Sequence, residues 1–146
     1  MQVVFVSNYF NHHQLSFCDA LYELLEGSFC FLQTQPMEEE RVKMGWQAEE
    51  RPYVRYVQPG GTTTGGPEWQ NLLLTADVVI FGGCDDESYI RERLAAGKPI
   101  FRYNERLYKE GQWKAISPRG LLQKYKDHTR YRKAPVYFLC AGAYVP

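Results

Sequence analysis

The chain has 146 residues, 45% of them hydrophobic and 23% charged, with 17 basic and 17 acidic side chains. That length suits one domain with a substantial core, and the composition is that of an ordinary globular protein, not a disordered or collagenous one. No apolar run approaches the roughly 20 residues a membrane-spanning helix needs, and the first residues lack the charged start of a secretory signal.

The four cysteines, Cys18, Cys30, Cys84 and Cys140, are too widely spaced for a zinc cluster or a disulfide framework. They read as reduced thiols of a cytoplasmic protein. The zero net charge hides an asymmetry: residues 1–100 carry 14 acids and 7 bases, residues 101–146 carry 3 acids and 10 bases. The basic C-terminal third either faces an anionic partner or neutralises the acidic part across the folded domain. Eleven residues are Tyr, whose apolar ring and polar tip suit the wall of a groove.

Taken in order, short apolar strands alternate with amphipathic helices. A strand is predicted over residues 2–6 and a helix over 14–25, with Phe17, Cys18, Leu21, Leu24 and Leu25 as its apolar stripe. Asn11 caps that helix, Gln14 is the capping-box partner, and Gly27 supplies a left-handed stop. A second strand covers residues 29–33. Regularity then fails over 34–66, which holds an acidic run (Glu38, Glu39, Glu40), one strand near 53–57 and a glycine-threonine stretch, 60–66, read as a flexible loop. Pro67 and Glu68 open a short helix through Trp69, Leu72 and Leu73.

Residues 77–82 form the clearest strand, apolar enough for burial on both faces. Asp85 or Asp86 caps a helix to residue 96, and Gly97 and Pro99 close it. A strand over 99–103, a loop over 104–116, a helix from Ser117 and Pro118 to 132, and a strand over 135–140 complete the series. The alternation predicts a single α/β domain over 1–146. Its expected form is a Rossmann-like three-layer α/β/α sandwich with a mostly parallel sheet of about six strands.

Such sheets bind ligands beyond the carboxyl ends of their strands, where strand order reverses. The segments arriving there are 7–13, 82–86, 103–106 and 141–144. Several chemistries are excluded by sequence: there is no G-x-G-x-x-G after the first strand, no phosphate loop and no G-x-S-x-G elbow. His12 and His13 are candidate catalytic bases, since a neutral imidazole at a helix start can take a proton from a sugar hydroxyl. The plainer reading makes them capping or solvent-facing residues. Gly82, Gly83 and Asp85 give a backbone that a ligand can approach, followed by a helix start; a simple strand-to-helix turn with an Asp cap also explains them. Cys84 is read as inert, with no histidine base near it in sequence. Tyr103, Glu105 and Arg106 suit sugar hydroxyls or a phosphate, or form a structural ion pair. Lys126, Arg130 and Lys133 fall on one helical face that can meet anionic headgroups or remain solvated. No nucleic-acid motif accompanies them.

Three stretches carry a family resemblance: residues 3–14 (VVFVSNYFNHHQ), 77–83 (DVVIFGG) and 101–111 (FRYNERLYKEG). They resemble the N-terminal domain of bacterial GT-B glycosyltransferases of the group 1, family 4-like kind. The resemblance implies two Rossmann-like domains across a cleft, this one holding a glycan or lipid-linked acceptor through Ser7, Asn8, Tyr9, Gly82, Gly83, Asp85, Tyr103, Glu105 and Arg106. The other domain would hold a nucleotide-sugar donor. It implies no metal, no cofactor beyond that co-substrate, and a place in bacterial surface polysaccharide synthesis, at the cytoplasm or the inner face of the membrane. The paired-glutamate signature of the donor domain is absent from this chain. Asn8-Tyr9-Phe10-Asn11 also stands where many relatives have a glycine-rich turn. The alternative is a non-catalytic ligand- or protein-binding module of the same fold, including a flavodoxin-like one that holds FMN.

Overall fold

A computed structural model of the chain describes residues 1–46, 49–57, 69–83, 88–104 and 117–140. Among these, six strands form one sheet: β1 (Val3–Ser7), β2 (Phe29–Gln33), β3 (Val54–Tyr56), β4 (Val78–Phe81), β5 (Ile100–Asn104) and β6 (Val136–Cys140). Five helices accompany them: α1 (His12–Leu24), α2 (Glu39–Lys43), α3 (Trp69–Thr75), α4 (Ser88–Ala95) and α5 (Pro118–Thr129). Strand order is β3-β2-β1-β4-β5-β6, and every pairing is parallel. The chain therefore has the Rossmann-like α/β architecture expected from the alternation, with order reversing between β1 and β4.

Central position explains the apolar runs. All five residues of β1 and of β2 are buried, because helices cover both faces of a parallel sheet. Successive side chains alternate between the faces. Val3, Phe5, Phe29, Phe31 and Ile80 meet α1, while Val4, Val6, Leu32, Val79 and Phe81 meet α3 and α4. The α1 face is an aromatic core: Phe5 lies edge-on to Phe31 at 5.2 Å and to Tyr103 at 5.5 Å, and Phe10 meets Phe31 at 4.9 Å. Tyr53, also on this face, is 3% exposed and directs its hydroxyl to Asp19 Oδ1 at 2.6 Å. Tyr53 and Tyr103 thus belong to the core and are not among the tyrosines free to line a groove.

The helix ends differ from the sequence reading in informative ways. Asn11 caps α1 as predicted, its side chain accepting from the His13 N–H, but the helix begins at His12, so both histidines lie in its first turn. Gln14 is no capping-box partner; its amide turns inward to Ser7 Oγ. The buried stripe runs through Gln14, Leu15, Cys18, Leu21, Tyr22 and Leu25. Leu24 sits roughly a third of a turn off that stripe and is 77% exposed. Gly27, at φ 82°, provides the left-handed stop. The acidic run does more than fill a loop: Glu39 and Glu40 open α2, Lys43 ends it, and Glu38 pairs with Arg41 at 2.8 Å, all as the helix dipole favours. Ser117 caps α5 by accepting from the Gly120 N–H. That helix ends at Thr129, short of residue 132, where Thr129 Oγ1 turns back to Tyr125 O. The glycine-threonine stretch, Pro67 and Glu68, and the Asp85–Asp86 cap lie outside the described residues.

Cys18 and Cys30 are free, buried thiols, one on each side of the sheet. Burial pushes them up to about 12 and about 11 respectively, from an ordinary value of 9.0. Burial also raises Tyr53, helped by its bond to Asp19. Each raised value means stability that is complete below the unfolded-state pKa and lost as pH rises toward the folded one. The urea midpoint is therefore expected to fall steeply above about pH 9, each thiol contributing about 1.4 kcal/mol per pH unit up to its folded value. Stability that stayed level to pH 11 would contradict the burial of both thiols.

Candidate functional site at the carboxyl end of the sheet

The sequence places Ser7, a hydroxyl, at the end of the otherwise apolar central strand. Ser7 is nonetheless fully buried, so its hydroxyl must be satisfied locally. It donates to Asn8 Oδ1 at 3.1 Å and accepts from Gln14 Nε2 at 3.3 Å. Asn8 Oδ1 also accepts from the Tyr9 N–H at 2.9 Å. The loop's backbone is tied to the next strand, with Ser7 O accepting from Thr34 N at 2.9 Å and Asn8 O from Gln35 N at 2.7 Å. Gln33 completes the brace: its Oε1 accepts from Phe10 N at 3.0 Å and its Nε2 donates to Gln35 O at 2.7 Å. The β1–α1 loop is consequently rigid, held by side-chain amides where many Rossmann-like folds use glycine.

The facing wall is glycine. A methyl group on Gly82 would sit 3.2 Å from both the Phe5 ring and Ser7 Oγ, and one on Gly83 would sit 3.3 Å from Asn8 Oδ1. Phe5 is fully buried and cannot retreat, so close approach of the β1 and β4 ends is what requires Gly82. The structure thus brings together Ser7, Asn8, Gly82 and Gly83, four of the residues singled out from the sequence, at the point where strand order reverses.

Two buried side-chain atoms among the described residues lack a hydrogen-bond partner, and both lie at this end of the sheet. Gln14 Oε1 is one, on a residue 8% exposed; Trp69 Nε1 is the other, on a residue 5% exposed. Trp69 begins α3 on the opposite face and stands edge-on to Tyr89 of α4 at 4.4 Å. Native proteins leave few such atoms, because each costs roughly 1–3 kcal/mol. Gln14 belongs to α1 on one face of the sheet and Trp69 to α3 on the other, so the two atoms mark separate unsatisfied positions.

His12, His13 and Tyr9 belong to a different cluster. The two imidazoles are exposed, with ring centroids 3.9 Å apart, and both lie edge-on to Trp46 at 5.8 and 5.5 Å. Arg41 of α2 sits 4.9 Å from the Trp46 ring centre and 5.2 Å from that of Tyr9. Tyr9 is consequently 8% exposed, covered on this side by a guanidinium. Tyr103 packs its ring against Phe5 and Phe17 in the core of the α1 face. Asp85, Glu105 and Arg106 lie outside the described residues. Lys126, Arg130 and Lys133 are exposed, as are Leu121, Leu122 and Tyr125. With α5 ending at Thr129, Lys133 stands beyond the helix, and the expected three-residue basic face is broken there.

Sequence reading missed Gln14, Gln33, Trp69 and the Arg41–Trp46 pair. A signal existed for Gln33: an amide ending an otherwise apolar strand must find partners once buried. No helix among the described residues is long and apolar enough to cross a membrane. Comparison with protein families, curated proteins and solved structures yields no match to this chain.

Proposed function

We propose that the chain is the acceptor-binding, Rossmann-like half of a glycosyltransferase. In this reading the crevice between the β1 and β4 ends takes a hydroxyl group of a glycan or lipid-linked acceptor. The observation that carries the reading is Gln14 Oε1, a buried acceptor without a donor beside Ser7, Asn8 and the glycine wall. A sugar hydroxyl supplies the missing donor. The sequence resemblance supports the same assignment.

On this reading a base takes the acceptor's proton as its oxygen attacks the anomeric carbon and the nucleotide leaves; His12 and His13 are the bases the sequence offers, and their rings lie against Trp46, outside the Ser7–Gly82 crevice. The sequence resemblance assigns Asp85, Glu105 and Arg106 to the acceptor as well, and these lie outside the described residues; the Tyr103 ring is packed on Phe5 and Phe17. The nucleotide-sugar is bound by a second domain, the reaction is cytoplasmic, and the exposed Lys126 and Arg130 meet anionic headgroups.

The test is a titration of the isotope-labelled chain with alkyl glycosides and disaccharides, followed by amide NMR. Shifts at Ser7, Asn8, Gly82 and Gly83 are expected. A sugar panel that leaves all four amides unmoved would sink the assignment.

A further inference from the structure

A second concavity lies on the other side of the β1–α1 loop, at the carboxyl ends of β2 and β3. It encloses about 460 Å³, within the range of about 300–1,000 Å³ typical of small-molecule sites. Six of its ten lining residues are apolar or aromatic, among them Phe10 from the loop, Met37 and Val42 from the α2 segment, and Val54 and Tyr56 from β3. We infer that it binds a small organic cation, a protonated amine carried on a flat apolar body.

The charge arrangement selects the sign. Glu49, Glu50 and Arg51 are the ionised residues of the lining. Arg51 is already committed, with Nε on Asp19 Oδ1 at 3.1 Å and Nη1 on Glu49 Oε2 at 3.0 Å. Asp19 is in turn held below the usual carboxylate range, chiefly by the Tyr53 hydroxyl and then by Arg51, so it stays ionised and keeps the guanidinium engaged. Glu50 has no side-chain partner among the described residues, and its carboxylate is the charge left over. An anion entering this pocket meets two glutamates and a guanidinium already in use. A cation meets the Glu50 carboxylate, which no described residue pairs, beside an apolar lining that includes Phe10 and Tyr56.

The polar wall adds no competing preference. Both ends of the Gln33 amide are engaged, one with Phe10 N and one with Gln35 O, so the pocket has an apolar body with charge at one rim. That is the division a flat amine matches. This inference is independent of the glycosyltransferase reading, because it uses none of Ser7, Asn8, Gln14, Gly82 and Gly83.

Paired probes of one shape and opposite charge test it: tryptamine and indole-3-propionate, titrated against the folded chain and followed by methyl and amide NMR. Tryptamine is expected to shift Val42, Val54 and Tyr56, with indole-3-propionate at least about tenfold weaker. Glu50→Gln, a surface change, should weaken tryptamine about three- to tenfold. Val42→Trp should fill the cavity and abolish the shifts while far-UV circular dichroism is unchanged. Equal binding of the two probes overturns the inference, as does binding that survives Val42→Trp. Absence of shifts with tryptamine, or shifts confined to Ser7 and Gly82, overturns it too.

Discussion

Arg93→Met is expected to destabilise the chain by about 3–5 kcal/mol, enough to lower its melting temperature by roughly 10 °C. Arg93 is fully buried in α4 and spends its guanidinium on backbone carbonyls: Nε on Pro99 O at 2.8 Å, Nη1 on Leu73 O at 2.6 Å and Ala76 O at 2.8 Å, and Nη2 on Asp77 O at 2.9 Å. Those four carbonyls lie at the C-terminus of α3, the entry to β4 and the turn into β5. One planar fork thus caps a helix end, where carbonyls lack intrahelical donors and a positive charge is favoured, and joins three elements. Burial pulls the guanidinium below the usual arginine range, with Asp77 opposing the shift. Methionine fills most of the volume but leaves the carbonyls without their donor. Lysine keeps the charge but not the fork, and is expected to recover only part of the loss. Lys98→Ala removes an exposed bond to Thr75 O at 3.0 Å and should cost under about 1 kcal/mol. Urea denaturation of the three variants decides the matter; an Arg93→Met protein within 1 kcal/mol of the parent would refute the role.

The second large effect concerns two buried glutamines with opposite accounts. Gln33→Leu is expected to cost about 2–3 kcal/mol, because it strands the Phe10 N–H and the Gln35 carbonyl that its amide satisfies. Gln14→Leu removes one long bond to Ser7 Oγ and an oxygen that has no partner. Its stability should therefore stay within about 1 kcal/mol of the parent, on either side. Glycoside binding at the switch point should nonetheless fall at least about tenfold in that variant. This split is what a residue held for a ligand produces, since its polar atom is satisfied only in the complex. Denaturation and sugar titration run on both variants make the comparison direct. If Gln14→Leu costs as much as Gln33→Leu and binding survives, Gln14 is structural and the acceptor reading loses its main support.

Much of the fold was legible in the sequence, because β1, β2 and β4 are short apolar runs flanked by recognisable helix signals. Asn11, Gly27 and Ser117 act as read, since capping and left-handed stops depend on neighbours a few residues away. Element ends differ by a few residues, as at α5, which stops at Thr129, and α2 escapes the pattern because five residues give too little periodicity to detect. Site residues were legible only in part. Ser7, Asn8, Gly82 and Gly83 follow from strand ends and do meet in space. The histidines follow from the same logic but are turned toward Trp46 and Arg41, a contact between α1 and a distant helix that no local pattern encodes.

By itself, then, the sequence determined an alternating α/β chain with a polar turn after its first strand and glycines after its fourth, because strand burial and helix capping are written in short-range patterns. Strand order was left to the tertiary structure, which alone sets β4 beside β1 and so turns two separate loops into one crevice. The same packing decided that Gln14 faces inward with an oxygen unspent, that Arg93 is buried among carbonyls, and that Glu50 rims an apolar hollow. Those outcomes depend on which surfaces exclude water from one another, and that is settled only when distant segments meet.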